Sequence, residues 1–365
     1  MSSPFSPADQ AAMRQALALA EQAIGLSDPN PRVGCVIISP QGHMLGAGHT
    51  QAAGGPHAEV MALRDAQAQG HDVRGATAYV TLEPCAHHGR TPPCCDALIA
   101  AGLGSVVSAV QDPNPQVRGQ GLARIAAAGI ATATGLLEGE ARELNIGFFT
   151  RMLTGRPFVR MKIAASLDGR TALEDGRSQW ITQEAARRDG HAFRKRASAV
   201  LTGIGTVRDD DPRLDVRLVD TARQPLRVVI DSRLEIPPQA RILQPPGEVL
   251  IYSAGAQSGD LRAEVVALPG PNAKVDLTAV LDDLGKRGIN ELHVEAGRKL
   301  NGSFLREGLV GELLVYLAPK LIGPGREMAS LPALPSLDDA QTWRWIDCQP
   351  VGSDLRLRAR RGIGA

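Results

Sequence analysis

The hydrophobic positions of this chain form short apolar runs that alternate with stretches of helical spacing. In the first half, "VGCVIIS" from Val33, the turn "PQG" and then "HMLGAGH" predict two paired strands. The stretch from His57 to Gly70, "HAEVMALRDAQAQG", predicts a helix that ends at a capping glycine. Strand-like and helix-like runs then alternate through "ATAYVTLE", "CCDALIAAG", "SVVSAV" and "GLARIAAAG". Such alternation predicts a layered α/β domain.

The alternation restarts after Thr154–Pro157, "TGRP", which places a domain boundary near residue 155. A chain of 365 residues also exceeds the size at which one core usually stops growing, so we expect two domains, 1–155 and 156–365. In the second half, strands are predicted near residues 158–164, 199–202, 226–231, 249–252, 292–295, 313–317 and 355–359. Helices are predicted over 183–196, 277–287 and 299–307. This domain is also expected to be α/β, with a mixed sheet.

The amino-terminal stretch predicts a helix, capped by Ser6 or Asp9 and with Pro7 in its first turn. It lacks the pattern of a signal peptide, and no segment approaches about 18 uninterrupted apolar residues, so no membrane span is expected. Five cysteines, an odd number, then favour the cytoplasm over an oxidising compartment.

Composition places the chain among ordinary globular proteins, with 43% hydrophobic and 22% charged residues. The net charge is +1 and aromatic residues make up 3%. A protein that binds polymeric nucleic acid usually has a marked excess of Lys and Arg, often with aromatic residues between them. Nucleic acid is therefore a disfavoured partner.

The segment Tyr79–Cys95, "YVTLEPCAHHGRTPPCC", contains three of the five cysteines and two of the eight histidines. In a reducing compartment such a cluster indicates a metal site. A catalytic zinc needs three protein ligands and an open position for water, whose pKa it lowers to about 7. His57, Cys85 and Cys94 supply that set, and Glu59 in "HAE" is the carboxylate that would shuttle protons.

Geometry restricts how these residues can meet. In an ideal helix the side chains of His57 and Glu59 would point about 200° apart, so the metal must lie over the helix N-terminus. Gly54-Gly55-Pro56 prevents the helix from starting earlier. Cys94 is expected to open the next helix, where unpaired amide groups favour a thiolate, and Cys95 would point elsewhere.

Several alternatives remain open from spacing alone. A closed structural zinc site could use His87 or His88 as its fourth ligand, although Glu59 would then have no task. Cys35, inside an apolar strand, is expected to be a small core residue, and Cys348 shows no partner. The loop that contains Arg90, together with Asp112–Pro115, is interpreted either as a substrate contact or as a solvated loop.

The string "HAEV…YVTLEPCAHHGRTPPCCDALIAAG…QDPNP" resembles the cytidine-deaminase superfamily and, within it, the deaminase half of the bifunctional deaminase/reductases of riboflavin biosynthesis. This string is much more specific than His-x-Glu alone, because its eight-residue gap between the two cysteines replaces the two-residue gap common in other zinc deaminases. The resemblance implies that His57, Cys85 and Cys94 bind Zn²⁺, that Glu59 shuttles protons, and that the substrate is a phosphoribosylated diaminopyrimidinone. Some relatives carry a histidine where this chain has Met61.

The second half contains no complete Gly-x-Gly-x-x-Gly fingerprint, since "TGIGTVRDDDP" has Arg208 in place of the third glycine. A Rossmann domain is therefore unsupported. Instead, "MKIAASLDGRTA", "SQWIT", "GIGTVRDDDPRLDVR", "RVVIDS", "VEAG" and "APKLIG" resemble the reductase half of the same bifunctional family, whose fold is similar to dihydrofolate reductase.

That resemblance implies an NADPH-dependent reduction of the ribosylamino group to a ribitylamino group. The implied coenzyme contacts are Ala164, Trp180, Thr206, Asp210, Ser232 and Gly297. The implied substrate contacts are Ser178, Arg194, Leu214, Arg217 and Glu295, with Lys162 and Asp168 as candidates to bind or protonate the sugar. Forked donors on Arg194 and Arg217 suit a ribose phosphate. A shared interface between copies of the reductase half is also implied.

The expected function is thus a bifunctional enzyme, a zinc deaminase followed by an NADPH-dependent reductase. One rival is a nucleic-acid base deaminase with an appended binding domain, which the charge and the few aromatic residues disfavour. A second rival is a non-enzymatic protein with a structural zinc module and a regulatory nucleotide site.

Overall fold

The computed structural model describes the chain in five stretches, and the chain divides into two compact units, 1–155 and 156–365. The described stretches are 5–87, 92–115, 117–244, 246–255 and 261–361. Both units are α/β, as the alternation of apolar runs predicted. None of the described helices is long and apolar enough to cross a membrane.

The first unit has a five-stranded mixed sheet in the order β2-β1-β3-β4-β5. Its strands are β1 (Gly34–Ile38), β2 (Met44–His49), β3 (Thr77–Val80), β4 (Ser105–Ser108) and β5 (Ala131–Thr134). Its helices are α1 (Pro7–Glu21), α2 (Ala58–Ala68), α3 (Cys94–Ala100), α4 (Gln120–Ala127), α5 (Glu138–Leu144) and α6 (Ile146–Thr154). Strand β1 pairs antiparallel with β2 and β3, whereas β3, β4 and β5 run parallel.

Helix α1 begins as its sequence predicted. Ser6 is the N-cap, and its hydroxyl accepts the backbone N–H of Asp9 while the Asp9 carboxylate accepts the N–H of Ser6. The helix packs tightly on β1, because a Cβ at Gly34 would lie 1.9 Å from the carbonyl oxygen of Ala16. Glycine is therefore required at position 34 for this close approach.

The second unit has a nine-stranded mixed sheet in the order β11-β10-β9-β8-β12-β6-β13-β16-β15, and β14 pairs separately with β7. Its strands are β6 (Phe158–Ser166), β7 (Arg170–Leu173), β8 (Ala199–Gly203), β9 (Leu226–Ile230), β10 (Val249–Ser253), β11 (Glu264–Ala267), β12 (Glu291–Val294), β13 (Glu312–Ala318), β14 (Gly325–Glu327), β15 (Trp343–Val351) and β16 (Asp354–Arg361). Its helices are α7 (Glu184–Arg196), α8 (Ile204–Asp210), α9 (Leu277–Lys286) and α10 (Arg298–Arg306), and short 3-10 turns lie at Arg241–Leu243, Pro271–Ala273 and Leu337–Asp339.

All the strands and helices predicted in the second half are present, with ends that differ by one or two residues. Strand β16 pairs antiparallel with β13 and β15, which makes the sheet mixed as expected. The sequence prediction missed β15, because "WRWIDCQPV" is an edge strand whose residues are mostly exposed. It also predicted no strand at β7, β11 or β14 and no helix at α8.

A buried ion cluster lies on one face of the second sheet. Arg160 on β6 is 1% exposed and donates to Glu291 on β12 at 2.7 Å and to Glu312 on β13 at 2.6 Å. The rings of Phe158 and Phe193 lie 5.5 and 5.2 Å from its guanidinium carbon. Buried charges need such complete pairing, because an unpaired one would be strongly destabilising.

Candidate active sites

In the first unit, His57 is the N-cap of α2, with extended backbone angles of φ −79° and ψ 170°. The predicted helix therefore begins one residue later than the sequence indicated, at Ala58. Because His57 precedes the helix, the spacing of about 100° per helical residue does not apply to it. Its imidazole is therefore not forced to point about 200° away from Glu59. Gly54, with φ +91°, turns the preceding loop.

Cys85 follows β3 by five residues, and Cys94 is the first residue of α3, as predicted. The backbone N–H of Cys94 donates to the Cys85 sulfur at 3.3 Å. The Nδ1 atom of His57 lies 3.2 Å from the Cys94 sulfur and 3.7 Å from the Cys85 sulfur, and all three ligand atoms are within 4.8 Å of one another. Tetrahedral zinc, with bonds of about 2.0–2.3 Å, needs ligand atoms at about this spacing. The nitrogen and sulfur donors also suit zinc.

Glu59 lies in the first turn of α2 and is 3% exposed. Burial, together with the neighbouring Cys85 sulfur, raises the pKa of its carboxyl to about 7. The thiol of Cys94 lies within reach of the same carboxyl. A carboxyl in this environment can both hold and release a proton near neutral pH.

The two cysteine thiols and the His57 imidazole also shift one another's pKa values. The pKa of Cys85 is lowered because the Cys94 thiol and His57 donate to its sulfur, and the pKa of Cys94 is raised because that thiol is the donor. The pKa of His57 is raised by its bond to Cys85. A shared proton of this kind is what a bound metal would displace, since both thiols must be deprotonated to ligate it.

The remaining cysteines lie outside this cluster. Cys95 and Cys35 are fully buried in the core, while Cys348 is exposed on β15. His87 is exposed and is not part of the group of ligand atoms. His88, like Arg90, is outside the described residues.

Glu83 is a buried residue of this site that the sequence analysis did not identify. Its carboxylate accepts the backbone N–H groups of Asp112, Gly119, Gly121 and Leu122 at 2.9–3.3 Å. It thereby holds the loop at 112–115 and the start of α4 beside Cys85. The feature of the sequence that indicates such a role is the position of this acidic residue between an apolar strand and a metal ligand.

In the second unit, an open cleft of about 1710 Å³ is lined by twelve of the thirteen residues that the sequence predicted for the reductase site. Single drug-sized ligands usually fill pockets of about 300–1,000 Å³, so the cleft has room for two ligands. The lining residues are Lys162, Ala164, Ser178, Trp180, Arg194, Thr206, Asp210, Leu214, Arg217, Ser232, Glu295 and Gly297.

The cleft lining includes the residues predicted to contact the coenzyme. Gly297 is the N-cap of α10. A Cβ built there would lie 3.7 Å from the hydroxyl of Thr206, which is an ordinary contact distance, so no neighbouring group crowds this helix end. A helix end with unpaired N–H groups suits a phosphate. Trp180 is 61% exposed, and the Arg187 guanidinium lies 4.6 Å from its ring centroid. Ser178 donates to Asp210 at 2.8 Å, which joins a predicted substrate contact to a predicted coenzyme contact.

Glu295 is the centre of an ion-pair group in the cleft lining. Its carboxylate accepts two hydrogen bonds from the Arg194 fork and lies 3.3 Å from the Lys162 ammonium. Burial opposes its charge, but the two cations outweigh burial and hold the pKa of Glu295 well below its usual range. The fork of Arg194 therefore faces Glu295, instead of being open to a phosphate as the sequence analysis expected.

Asp215, which sequence reasoning missed, joins three arginines next to this group. Its carboxylate contacts Arg213 at 2.6 Å and Arg217 at 2.7 Å, and its backbone carbonyl accepts from Arg194 at 3.0 Å. His191 on α7 accepts the backbone N–H of Arg217 through Nδ1 at 3.2 Å. Burial, and then the charges of Arg194 and Arg217, lower the pKa of His191 to about 3, so it is neutral at neutral pH.

Asp168 is the one predicted reductase residue outside the cleft lining. Its carboxylate accepts the Ser166 hydroxyl and the backbone N–H groups of Ile322 and Gly323. The bond from Ser166, and then that from Gly323, lower its pKa to about 2. These contacts make it a holder of the loop at 322–323, and a group this acidic is a poor proton donor near neutral pH.

Two family models match consecutive parts of the chain. Residues 6–110 match the zinc-binding region of cytidine and deoxycytidylate deaminases, and residues 157–357 match the RibD C-terminal domain. Both matches fall within the units defined by the structure.

Full-length relatives and solved structures agree with these matches. The riboflavin biosynthesis protein RibD of Escherichia coli (strain K12) is 48% identical over 364 residues, with 96% of this chain and 98% of that protein covered. RibD of Haemophilus influenzae is 43% identical, with 97% of each chain covered. The structure of Acinetobacter baumannii RibD, form 1, matches with a TM-score of 0.90 and 41% identity over 98% of this chain and 99% of that one. A deaminase/reductase from Thermotoga maritima matches with a TM-score of 0.89 and 33% identity over 97% and 99%.

Proposed function

The chain belongs to the RibD family of bifunctional riboflavin-biosynthesis enzymes, and from this premise we propose how its residues divide the two reactions. The first reaction is the zinc-dependent hydrolytic deamination of a diaminopyrimidinone phosphoribosylamine. The second is the NADPH-dependent reduction of the ribosyl chain to a ribityl chain. The product is a phosphoribitylamino uracil.

For deamination we propose His57, Cys85 and Cys94 as the zinc ligands. Zinc, when bound, supplies Lewis-acid activation of water. Glu59 takes the proton of the attacking water and delivers it to the departing amino group, and its buried carboxyl beside the cluster supports this role. Glu83 positions the loop at 112–115 against the substrate.

For reduction, NADPH supplies the hydride, and this chain's residues orient the coenzyme and the sugar. We propose Ala164, Trp180, Thr206, Asp210, Ser232 and Gly297 as the coenzyme contacts, and Ser178, Arg194, Leu214, Arg217 and Glu295 as the substrate contacts.

Beside these contacts, we propose Lys162 as the proton donor next to the opening sugar. Glu295 fixes its ammonium at 3.3 Å. Its side chain is 23% exposed, which leaves it accessible from the cleft. We propose that Asp168 supports the loop at 322–323, because its carboxylate accepts the backbone N–H groups of that loop.

The convergence of His57, Cys85, Cys94 and buried Glu59 is the observation that carries the proposal. The test is Glu59→Gln, assayed for zinc content, ammonia release from the diaminopyrimidine ribotide, and NADPH oxidation with the deaminated ribotide. We expect zinc retained, ammonia release reduced by about 10²–10⁴-fold, and reduction unchanged. Unchanged ammonia release would contradict the role of Glu59, and absence of both activities from the wild-type enzyme would contradict the function.

We further propose that copies of the chain associate through residues 156–365, and that the enzyme works in the cytoplasm. The edge strand β15, whose Trp345 is 64% exposed, is the surface that we assign to this association. All five cysteines are free thiols, which suits a reducing compartment. Light scattering of the wild-type protein and of Trp345→Glu tests association, and a lower mass for the variant is expected.

A further inference from the structure

Trp180, a proposed coenzyme contact, lies on a segment whose two ends are held by carboxylates. The hydroxyl of Ser178 donates to Asp210 at 2.8 Å. The backbone N–H of Gln183 donates to Asp354 at 2.6 Å, and Asp354 is 2% exposed. The indole between these two ends is 61% exposed and lines the cleft. A ring this exposed can meet a ligand in one orientation only if its neighbours restrict it, because ordering it on binding would cost affinity.

Arg187 on α7 contacts this segment at two points. Its guanidinium carbon lies 4.6 Å from the centroid of the Trp180 ring. Its Nη1 atom donates to the backbone carbonyl of Thr182, a buried residue, at 2.7 Å. The negative face of an indole attracts a cation, so this contact restricts the ring, while the bond to Thr182 keeps the guanidinium in place.

Lys320 holds the same segment from the loop that follows β13. Its ammonium donates to the backbone carbonyls of Trp180 and Ile181 at 3.4 and 3.0 Å. A charged donor shared by two successive carbonyls restricts the backbone that carries the indole. Lys320 is not one of the described residues that line the cleft, so its contact is with this segment and not with a ligand in the cleft.

The loop that carries Lys320 is itself fixed. The backbone carbonyl of Lys320 accepts the N–H of Leu167 at 2.8 Å. Asp168, the next residue, accepts the N–H groups of Ile322 and Gly323 at 3.1 and 2.7 Å. Asp168 is therefore connected to the coenzyme site through Lys320, although it lies outside the cleft lining.

We propose that Arg187 and Lys320 are positioning residues for the reduction, and that they hold Trp180 in the orientation that receives NADPH. This inference rests on the proposed reductase function and adds two residues to which the sequence analysis gave no role. Because both act through Trp180, their removal should weaken coenzyme binding only while the indole is present. Arg187 also lines the cleft, so direct contact with the coenzyme is the competing explanation.

The test is a double-mutant cycle on the Kd of NADPH, measured by calorimetric titration of the full-length enzyme. We expect Kd to rise about 5-fold in Arg187→Met and in Lys320→Met, the fold-change of one lost contact of this kind. In the Trp180→Ala background, the same two substitutions should change Kd by less than about twofold. Lys320→Arg keeps a charged donor and should recover most of the affinity.

Steady-state reduction separates this role from a general loss of structure. We expect KM for NADPH to rise in Arg187→Met and Lys320→Met, with KM for the deaminated ribotide within about twofold of the wild type. Lys286→Met, at the exposed end of α9, is the matched control for Lys320→Met and should leave both constants unchanged. Tryptophan fluorescence reports folding of the second unit even in Trp180→Ala, since Trp343 and Trp345 remain.

The possible outcomes distinguish the inference from the function on which it rests. An unchanged Kd in both single variants would overturn the positioning role. Equal effects in the presence and absence of Trp180 would also overturn it, because they would indicate direct contact with the coenzyme. An unchanged Kd in Trp180→Ala would instead contradict the assignment of Trp180 as a coenzyme contact. Wild-type enzyme that binds no NADPH would contradict the proposed reductase function itself.

Discussion

Glu83 accepts the backbone N–H of Gly121 at 3.0 Å, and it does so from a position two residues before Cys85. The same carboxylate binds three further N–H groups, so it connects the zinc-ligand segment to α4 and to the loop at 112–115. The order of this part of the deaminase site thus depends on one buried side chain.

Glu83→Gln should therefore weaken the first unit. The amide replaces one acceptor by a donor that faces N–H groups, at a cost of about 1–3 kcal/mol in the free energy of unfolding. We expect faster zinc release to a chromogenic chelator and lower deaminase activity, with reductase activity unchanged. Glu138→Gln, at an exposed carboxylate paired with Arg142, is the control and should behave as wild type.

Gly121→Ala tests the same contact from the other side. A Cβ at this glycine would lie 1.8 Å from the carbonyl oxygen of Pro84, so the backbone beside Cys85 must move. We expect a marked loss of deaminase activity, measured as ammonia release. Gly139 lies in α5 with open space around it, and Gly139→Ala should be neutral or slightly stabilising.

Zinc content should distinguish the role of Cys94 from that of the adjacent Cys95. Cys94→Ser removes a proposed ligand, whereas Cys95→Ser changes a buried core residue that is not among the three clustered ligand groups. We expect atomic-absorption analysis to find zinc near one equivalent in Cys95→Ser and strongly depleted zinc in Cys94→Ser. Equal zinc content in the two variants would contradict the proposed ligand set.

Lys162→Met should slow reduction without affecting deamination. Loss of a positioned proton donor costs about 10²–10⁴-fold in kcat, while the Arg194–Glu295 pair remains to hold substrate. NADPH oxidation with the deaminated ribotide measures the effect. Lys286→Met, at the exposed end of α9, is the control. A rise in KM alone would show that Lys162 binds substrate and does not donate the proton.

The free energy of unfolding of the second unit should decrease at low pH, because unfolding allows His191 to take up a proton. Its pKa is about 3 in the folded chain and near 6.5 when unfolded, so its contribution is complete above pH 6.5 and is lost as the pH falls towards 3. The slope can reach about 1.4 kcal/mol per pH unit. His191→Asn keeps an acceptor for Arg217 but does not titrate, and its unfolding, followed by tryptophan fluorescence, should be less acid-sensitive than the wild type. Identical slopes between pH 6.5 and pH 4.5 would contradict this coupling.

Sequence was sufficient for the alternating elements, which depend on local spacing, and for the meeting of His57, Cys85 and Cys94, which short motifs at the starts of α2 and α3 indicate. His57, Cys85 and Cys94 stand beside glycine or proline residues that set where α2 and α3 begin. The pairing of Arg194 with Glu295, by contrast, joins residues 101 positions apart. Nothing in local pattern indicates which of several arginines a buried carboxylate will hold. Asp215 and Glu83 were missed for the same reason, since their partners are chosen by tertiary contacts.

The ion cluster around Arg160 has a consequence for how the second sheet aligns. Arg160 is in register with His293 on β12 and with Glu312 on β13. A shift of β6 by a single residue would turn the guanidinium to the opposite, apolar face, where Met161 now packs. That misaligned sheet would bury an unpaired cation and would take one counterion from each of Glu291 and Glu312, which would keep their contacts with Arg196, Arg358 and Arg360. The cluster thus discriminates against wrong strand alignments at the centre of the sheet that supports the cleft.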